Sequence, residues 1–276
     1  MRRANLLTLS AVLALAPAAL APASIIQLDF GSNPGLVAPA GATNSPGHAT
    51  ALVPNAATTW NLVTTADIAS GLAYADGAPA TSVTIDLGHE ATSANNVIAF
   101  GATQSINGSS LSGSQGAVLG TDYTGAAQDG IFANQGSSSS VNAAIGFRLD
   151  GLDAGQYTLF YVGRNTNTNT VRPALFYTAV GASAATFDFS ALTPVTLSNA
   201  NISGNNTWVA GNQYATATID LAAGQSIFVA TEGGSATELR GFLNSVQIVS
   251  VPEPATALAA IGALALLASR RRRAGR

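Results

Sequence analysis

The 276-residue chain contains neither cysteine nor lysine, and only 9% of its residues are charged. Without cysteine the chain forms no disulfide framework and offers no thiolate ligand to a metal. The charged fraction lies far below the ~25% that is usual in globular proteins, which argues against charge-driven disorder and against a coiled coil. The apolar fraction of 47% is ordinary for a globular protein, and ~250 residues is a common size for a single all-β domain.

Basic residues are scarce in the body of the chain. All eleven are arginines, and seven of these lie in the two terminal segments. Residues 24–250 hold four arginines and thirteen acidic residues, which gives this part a net charge of −9. Because nucleic-acid binding requires a basic patch, this charge excludes nucleic acid as a partner.

Several catalytic signatures are also missing. The chain has no G-x-S-x-G sequence and no two glycines in G-x-G spacing, so it contains no nucleophile elbow and no dinucleotide fingerprint. A zinc site would need both histidines, His48 and His89, together with carboxylates. His89 and Glu90 directly follow a predicted strand and are interpreted as a polar turn rather than as metal ligands.

The first 23 residues have three distinct parts. A positive start at Arg2 and Arg3 precedes a mostly apolar run over residues 6–20, and Ala21-Pro22-Ala23 follows. These are the parts of a secretory signal peptide. The sequence therefore predicts a signal helix over residues 1–23 that signal peptidase removes between Ala23 and Ser24.

The last 26 residues, 251–276, form a second tripartite segment. Pro252-Glu253-Pro254 is followed by an apolar stretch over residues 255–269 and by the arginines 270–273. A helix of about 15 residues spans roughly 22 Å, which is short against the ~30 Å hydrocarbon core of a bilayer. The positive-inside rule keeps Arg270, Arg271, Arg272 and Arg273 in the cytoplasm and places residues 24–250 outside.

This tail resembles the PEP-CTERM protein-sorting signal of exported proteins in Gram-negative bacteria, many of which make extracellular polysaccharide. The resemblance implies an exosortase as partner, with Pro252, Glu253 and Pro254 as determinants of recognition rather than as catalytic groups. It also implies an intermediate held in the inner membrane by the C-terminal helix, and then transfer to the cell surface or the extracellular matrix. The alternative is a plain C-terminal membrane anchor.

Between these two segments, apolar and polar residues alternate repeatedly. In Ile26-Gln27-Leu28-Asp29-Phe30 the apolar side chains occupy every second position. Such a pattern places one face of a strand on a core and the other in solvent, as antiparallel sheets require. The other predicted strands lie at residues 83–87, 96–100, 145–149, 156–162, 174–180, 187–189, 215–221, 226–230 and 244–249.

About ten short strands with Gly- and Asn-rich turns predict an all-β fold, an antiparallel β-sandwich of jelly-roll type, flanked by the N-terminal signal helix and the C-terminal hydrophobic helix. Residues 152–159 and 221–228 resemble loop–strand pieces of jelly-roll carbohydrate-binding modules. Residues 64–74 are predicted to form a short helix or turn. Residues 101–142 show the least regular pattern of apolar and polar residues. No linker divides residues 24–250, which favours one domain.

Sugar-binding jelly rolls use aromatic rings and planar polar side chains. The candidate rings are Trp60, Tyr123, Trp208 and Tyr214, and the candidate hydrogen-bond donors are Arg164 and Arg172. The opposite interpretation places the tryptophans in the core, where large aromatic side chains are usually buried. Arg240 is expected to form a structural ion pair with Glu238.

Carboxylates offer two further interpretations. Glycoside hydrolysis needs a pair of them, and Asp86, Asp150, Asp153, Asp188 and Asp220 are the candidates, although solvent-facing acids are expected at the same positions. Calcium prefers oxygen ligands on loops. Asp150 and Asp153, with Asp122 or Asp129, are its candidate ligands, and no other cofactor is expected.

Two functions of different classes follow. The first is an exported, non-catalytic protein that is structural or binds carbohydrate weakly in an exopolysaccharide layer. The second is a polysaccharide-active hydrolase with an unrecognised carboxylate pair. Two carboxyl groups ~5–10 Å apart in a cleft would favour the enzyme, whereas aromatic rings at the surface would favour binding.

Overall fold

The computed structural model describes residues 24–31, 41–68, 70–90, 95–101, 106–107, 124–133, 143–168, 170–200, 207–236 and 238–251. Within these ranges the chain forms fifteen strands and two short helices. The elements in chain order are β1 (Ile25–Phe30), α1 (Pro46–Ala49), β2 (Asn61–Val63), β3 (Thr84–Glu90), β4 (Val97–Phe100), β5 (Ile106–Asn107), α2 (Thr124–Gln128), β6 (Ile131–Ala133), β7 (Ile145–Asp150), β8 (Gly155–Val162), β9 (Ala174–Ala182), β10 (Thr186–Asp188), β11 (Val195–Leu197), β12 (Ala215–Leu221), β13 (Gln225–Gly233), β14 (Phe242–Leu243) and β15 (Ser245–Val251).

The strands form two large sheets and one small one. The five-stranded sheet has the order β12-β8-β15-β1-β2, the seven-stranded sheet the order β10-β4-β3-β7-β13-β9-β11, and the third sheet the order β14-β6-β5. Neighbouring strands of the two large sheets are antiparallel except for β1 and β2, which are parallel. From β7 to β15 the chain passes repeatedly from one sheet to the other, as in a jelly roll. The predicted fold class, an antiparallel β-sandwich, is confirmed.

The two chain ends of the domain lie close together. The first and last strands are neighbours, with Ile25 opposite Val249, and the Ser250 amide donates to the Ser24 carbonyl over 3.0 Å. Both chain ends of the compact unit Ala23–Val251 therefore emerge side by side. The predicted signal helix and, beyond Val251, the predicted C-terminal helix lie outside the described residues. No helix in the described ranges is long and apolar enough to span a membrane.

The main core lies between the two large sheets and is built by the predicted alternation. Leu28 and Phe30 of β1 are fully buried there with Phe147 of β7 and Leu87 of β3. The rings of Phe30 and Phe147 are 5.6 Å apart between centroids. Alternate residues of each strand therefore point to one shared interior, because successive side chains of a strand point to opposite faces.

The second face of β1 is not exposed to solvent, which corrects the prediction of a half-buried strand. All six residues of β1 are buried, since chain segments cover the outer face of the five-stranded sheet. Val53 and Ala57 pack there on Ile25 and Phe160. The prediction holds for β12 at the sheet edge, where alternate polar residues are exposed.

Buried amide side chains hold this covering segment in place. Gln27 donates to the carbonyls of Ala57 and Thr59, each over 3.1 Å. Gln247 donates to the Gln27 side-chain oxygen over 2.6 Å and accepts the Gly47 amide over 2.8 Å. Because buried polar groups must be hydrogen-bonded to avoid a desolvation penalty, these bonds fix the loop on the sheet.

The helices differ from the prediction. Residues 64–74 contain no helix in their described part, where Ile68 instead forms an isolated bridge with Ile85. The two helices are α1, which Ser45 caps with its side chain, and α2, which lies within the irregular stretch 101–142. Both are a single turn, too short to show a helical period in the sequence.

Candidate functional site

Helix α2 lies beside both tryptophans of the chain. Its residues Ala126 and Ala127 are buried together with Ala42, and Trp60 and Trp208 pack against these three alanines. We call these five residues the tryptophan cluster. Two predicted ring platforms that are 148 positions apart in the sequence thus meet at one place.

Both tryptophans are half-buried. The Trp208 Nε1 group donates to the Asn44 carbonyl over 2.6 Å, which fixes the orientation of the indole. The edge of Trp208 also faces Tyr214, at 6.4 Å between ring centroids and 71° between planes. Tyr214 itself is buried against Phe160, so it is a core residue rather than a surface platform. Tyr123 lies outside the described residues.

The loop that carries Arg164 is bound to the C-terminal end of α2. Thr166 donates its hydroxyl to the Gln128 carbonyl, the last of the helix. Asn244 donates to the carbonyl of Asp129 and accepts the Arg164 amide over 2.7 Å. Helix α2 therefore contacts both the tryptophan cluster and this loop. Three predicted ligand residues, Trp60, Trp208 and Arg164, thus lie on segments that pack around α2.

The Arg164 side chain is buried, with 5% of its surface exposed. Its Nη2 group donates to the Thr168 carbonyl over 3.3 Å. Burial lowers the pKa of Arg164 to about 10, because desolvation disfavours the charged form. The group still carries its charge at neutral pH.

Glu238 is the centre of a second set of charged residues beside this loop. Arg240 donates to it from Nε and Nη2 over 2.7 and 3.1 Å, Asn165 donates over 3.0 Å, and Arg172 pairs with it through Nη1. We call Arg172, Arg240 and Glu238 the arginine cluster. Burial acts to raise the pKa of Glu238, but the donors and positive charges of Arg240, Asn165 and Arg172 outweigh it and hold the pKa below its usual value.

The predicted ion pair between Arg240 and Glu238 is confirmed. The Arg240 guanidinium also lies over the rings of Phe132 and Phe242, at 5.1 and 5.4 Å from their centroids. These cation–π contacts fix the guanidinium on the small third sheet. Arg172, predicted as a donor to sugar, already pairs with Glu238 through its Nη1 group.

Of the candidate calcium ligands, Asp122 lies outside the described residues, and Asp150 is already engaged. Both of its carboxylate oxygens accept from the Arg148 Nε group, at 3.2 and 2.9 Å, and Ser226 donates to one of them. Asp153 is exposed, and its main-chain carbonyl accepts the Tyr157 hydroxyl over 2.8 Å. Calcium binding remains an untested prediction.

Among the candidate carboxylates for hydrolysis, Asp86 and Asp150 share one partner. Arg148 pairs with Asp86 over 3.1 Å and with Asp150 over 2.9 Å. Burial raises the pKa of Asp86, and the charges of Asp67 and Asp150 add to this, against the opposing Gly101 amide and Arg148. Asp188, Asp220 and Asp153 are exposed on strand faces or turns.

The histidines have structural partners. The His48 Nδ1 atom is 2.7 Å from the Ser45 hydroxyl and its Nε2 atom is 3.1 Å from the Ala57 carbonyl. His89 and Glu90 belong to β3 and are buried, so their interpretation as a polar turn is wrong. Glu90 accepts the amides of Asn96 and Ala144, over 2.7 and 2.8 Å, which ties β3 to neighbouring segments. Within the described ranges no three His, Cys, Asp or Glu side chains are grouped as metal ligands would be.

The register of β15 places the Arg164 loop far from the chain ends. Strand β15 runs from Ser245, opposite Val162, to Val251, opposite Gln156. Asn244, which bonds the Arg164 loop, therefore lies at one end of the sandwich and Val251 at the other. Sequence reasoning missed Asn244, because its contact with Asp129 joins residues 115 positions apart and no local pattern signals it.

The tail of the chain is more specific than its fold. Residues 250–273 match the PEP-CTERM protein-sorting motif. The match covers Pro252, Glu253 and Pro254 together with Arg270–Arg273. The predicted resemblance is confirmed, and the chain carries the signal of an exported exosortase substrate that passes through a membrane-anchored intermediate in Gram-negative bacteria.

Solved structures similar to the chain include carbohydrate-binding modules. CBM35 from Cellvibrio japonicus Abf62 shares 18% identity over 61% of this chain and 98% of that one, with a TM-score of 0.29. CBM61, solved in complex with β-1,4-galactotriose, shares 10% identity over 59% and 86%, with a TM-score of 0.25. The K1 cleaved adhesin domain of Lys-gingipain from Porphyromonas gingivalis W83 shares 14% identity over 60% and 96%, with a TM-score of 0.29. No curated protein matches the chain.

Proposed function

We propose that this protein is processed by signal peptidase and an exosortase, reaches the cell surface or the extracellular matrix, and binds polysaccharide there without altering it. The observation that carries the binding proposal is the convergence of Trp60 and Trp208 on α2, where both residues are half-buried rather than enclosed in the core. Rings of this kind offer flat apolar faces to sugar rings, while adjoining polar groups supply orientation.

The position of the tryptophan cluster supports the same proposal. Helix α2, on which the cluster packs, leads to Asp129, whose carbonyl accepts from Asn244 at the end of β15 that lies opposite Val251 and Pro252. A protein attached through its C-terminal end would therefore present the cluster away from the point of attachment. The net charge of −9 over residues 24–250 favours a solvated surface in an extracellular layer.

Processing is tested by the intact mass of the native protein, measured separately in the membrane fraction and in the medium. We expect a mature form that begins at Ser24 and ends near Pro254, because the signal peptide and the segment after the motif are removed. The control is the variant Glu253→Ala, in which the full C-terminus should be retained in the membrane. A wild-type protein that keeps residues 255–276 in every fraction would contradict sorting by an exosortase.

Binding is tested through the tryptophans themselves. Because the chain has two tryptophans and both belong to the tryptophan cluster, intrinsic fluorescence reports on this site directly. We expect neutral polysaccharides such as galactan and xylan to change the emission, and W208F and W60F each to weaken binding about 2- to 10-fold, the range of an altered aromatic contact.

The matched control for these variants is Y157F. Tyr157 lies near the start of β8, at the end that carries the chain termini, and it is buried, so this change should leave binding intact. Equal binding by wild type, W60F and W208F would contradict the proposal that the tryptophan cluster binds polysaccharide. Release of new reducing ends from the bound polysaccharide would contradict the non-catalytic part of the proposal and favour the hydrolase.

A further inference from the structure

The folded domain and the sorting motif directly adjoin. Val251, the last residue of β15, is paired with Gln156 of β8, and the Ser250 amide donates to the Ser24 carbonyl over 3.0 Å. The match to the sorting motif begins at residue 250, which is inside β15. The sheet therefore holds the chain up to the residue that precedes Pro252, and no spacer separates the domain from the motif.

This direct connection limits how a processing enzyme can bind. The three residues Pro252-Glu253-Pro254 span at most about 10 Å when fully extended. An enzyme that binds them must therefore bring the rim of its cleft within about 10 Å of Val251. Strand β15 is the central strand of its five-stranded sheet, which is roughly 19 Å wide at ~4.8 Å between strands. The end of the sandwich therefore faces the enzyme on both sides of the motif.

Exposed carboxylates lie beside Val251 at this end of the sandwich. Asp220 of β12 lies opposite Gln156, which is itself opposite Val251, and it accepts from the Gln156 side chain over 3.0 Å. Because residues directly opposite each other share one face of a sheet, these three form a row across the strands. Asp153 lies in the turn that leads into β8, and both Asp153 and Asp220 are exposed.

A third exposed carboxylate, that of Asp76, lies beside β1 on the other side of β15. It follows Ala75, whose amide donates to the Ile25 carbonyl over 2.8 Å. Burial raises the pKa of Tyr74, and the charges of Asp153 and Asp76 add to this increase, so both carboxylates lie near the same phenol group. We call the following residues the terminal surface: Ser24, Asp76, Asp153, Gln156, Asp220 and Val251.

No arginine belongs to the terminal surface. Of the four arginines in residues 24–250, Arg164 is bonded to Asn244 at the opposite end, and Arg172 and Arg240 are both paired with Glu238. The fourth is paired with two aspartates of the seven-stranded sheet. Even with the α-ammonium group that cleavage before Ser24 would create, the three carboxylates leave an excess of two negative charges. A complementary partner surface is therefore basic.

We infer that the terminal surface is a docking surface for the exosortase, and that the enzyme meets it with basic side chains around the cleft that binds the motif. The short reach of the motif brings the two surfaces together, and opposite charges favour their encounter. This inference rests on the proposed function, because it concerns the enzyme that is proposed to process the tail. It adds that this enzyme recognises the folded domain together with the motif, rather than the motif alone.

The test is a pulse-chase measurement on the full-length protein in cells that contain the exosortase, with precursor and mature form separated by mass. We expect D220K and D153K each to slow the conversion about 2- to 5-fold, the range given by a single exposed charge pair. D188K is the matched control. Asp188 is also exposed, but it lies opposite Val97 beyond the Glu90 end of β3, at the end of the sandwich remote from Asp153. D188K should be processed as wild type is.

A second variant separates the domain from its motif without altering either. A flexible Gly-Ser spacer of about ten residues, inserted between Val251 and Pro252, should slow processing, because surface and motif no longer bind the enzyme as one rigid unit. In this background D220K should have no further effect. Unchanged melting temperatures of D220K and D153K would show that both variants are folded.

Processing at the wild-type rate by the spacer variant, or by both D220K and D153K, would overturn the inference. Faster processing of D220K would also overturn it, in favour of repulsion between the terminal surface and anionic lipid headgroups. If wild type is processed and Glu253→Ala is not, but the surface variants behave as wild type does, only this inference fails. If wild type itself keeps its tail, the proposed sorting fails as well.

Discussion

Replacing Glu238 by glutamine is expected to lower the free energy of unfolding by about 3–5 kcal/mol, the range found when one partner of a buried ion pair is removed. Glu238 is almost fully buried and accepts from Arg240, Asn165 and Arg172. Glutamine keeps the shape of the side chain but leaves Arg240 and Arg172 without a counter-charge in a desolvated place. The decrease in the free energy of unfolding therefore reports the contribution of the Glu238 charge rather than that of side-chain packing.

The same residue makes stability depend on pH in a defined direction. Burial opposes ionisation of Glu238, but its donors and the neighbouring arginines outweigh this and hold its pKa below the usual 4.5. A carboxyl group whose pKa is lower in the folded protein contributes stability that is fully present above pH 4.5 and is lost as the pH falls through its folded pKa. The difference between wild type and E238Q should accordingly be largest near pH 7 and shrink below pH 4.5.

Urea denaturation at pH 7 and at pH 3.5 checks both statements. The matched control is D220N, which also removes one acidic charge but at an exposed position that accepts from Gln156 over 3.0 Å. Its effect should stay within ~0.5 kcal/mol, as is usual for surface substitutions. An E238Q variant as stable as D220N at pH 7 would show that the arginine cluster contributes no net stability through its charge.

The second large effect is expected from alanine at Gly151, in the turn between β7 and β8. Gly151 has φ +83°, and a Cβ atom there would lie 1.8 Å from the Ser82 carbonyl oxygen. The left-handed conformation alone costs a residue other than glycine about 1–2 kcal/mol. Because the contact is with backbone, the two segments must also move apart, and we expect a total loss of about 3 kcal/mol or more.

Gly224 offers the matched control for this effect. It has φ +76° in the turn between β12 and β13, and a Cβ atom there would meet nothing within 4 Å. G224A should therefore show the conformational cost alone, and the difference between the two variants isolates the collision with Ser82. Equal urea midpoints for G151A and G224A would mean that the backbone around Gly151 accommodates a Cβ atom with no loss of stability beyond the conformational cost.

The strands were predictable because their information is local. The alternation in β1, β3 and β7 identifies the residues of the inner face, and the Arg240–Glu238 pair was predicted from residues two positions apart. The burial of the second face of β1 was not predictable, since residues 45–57, which cover it, have no periodic pattern. Glu90 illustrates the same limit, because the amides that hydrogen-bond its buried carboxylate belong to Asn96 and Ala144 on other segments.

The candidate site was predictable only as separate residues. Ring chemistry singled out Trp60 and Trp208, but nothing in the sequence shows that they meet on α2, a five-residue helix without an apolar stripe. The bond that orients Trp208 joins it to Asn44, 164 positions away. Arg164 was predicted as a donor to sugar, whereas its burial depends on the packing of segments that are remote in sequence.

The position of β15 has a mechanical consequence. This strand lies between β1 and β8, antiparallel to both, and it runs from Ser245, close to Arg240 and Glu238 in the sequence, to Val251, which directly precedes Pro252 of the sorting motif. A polysaccharide pulling at one end against an attachment at the other would apply tension along the strand axis. The hydrogen bonds on both sides of β15 would then be loaded together in shear, rather than one after another as in peeling, so a force between the proposed binding site and the proposed attachment would be resisted by the whole strand at once.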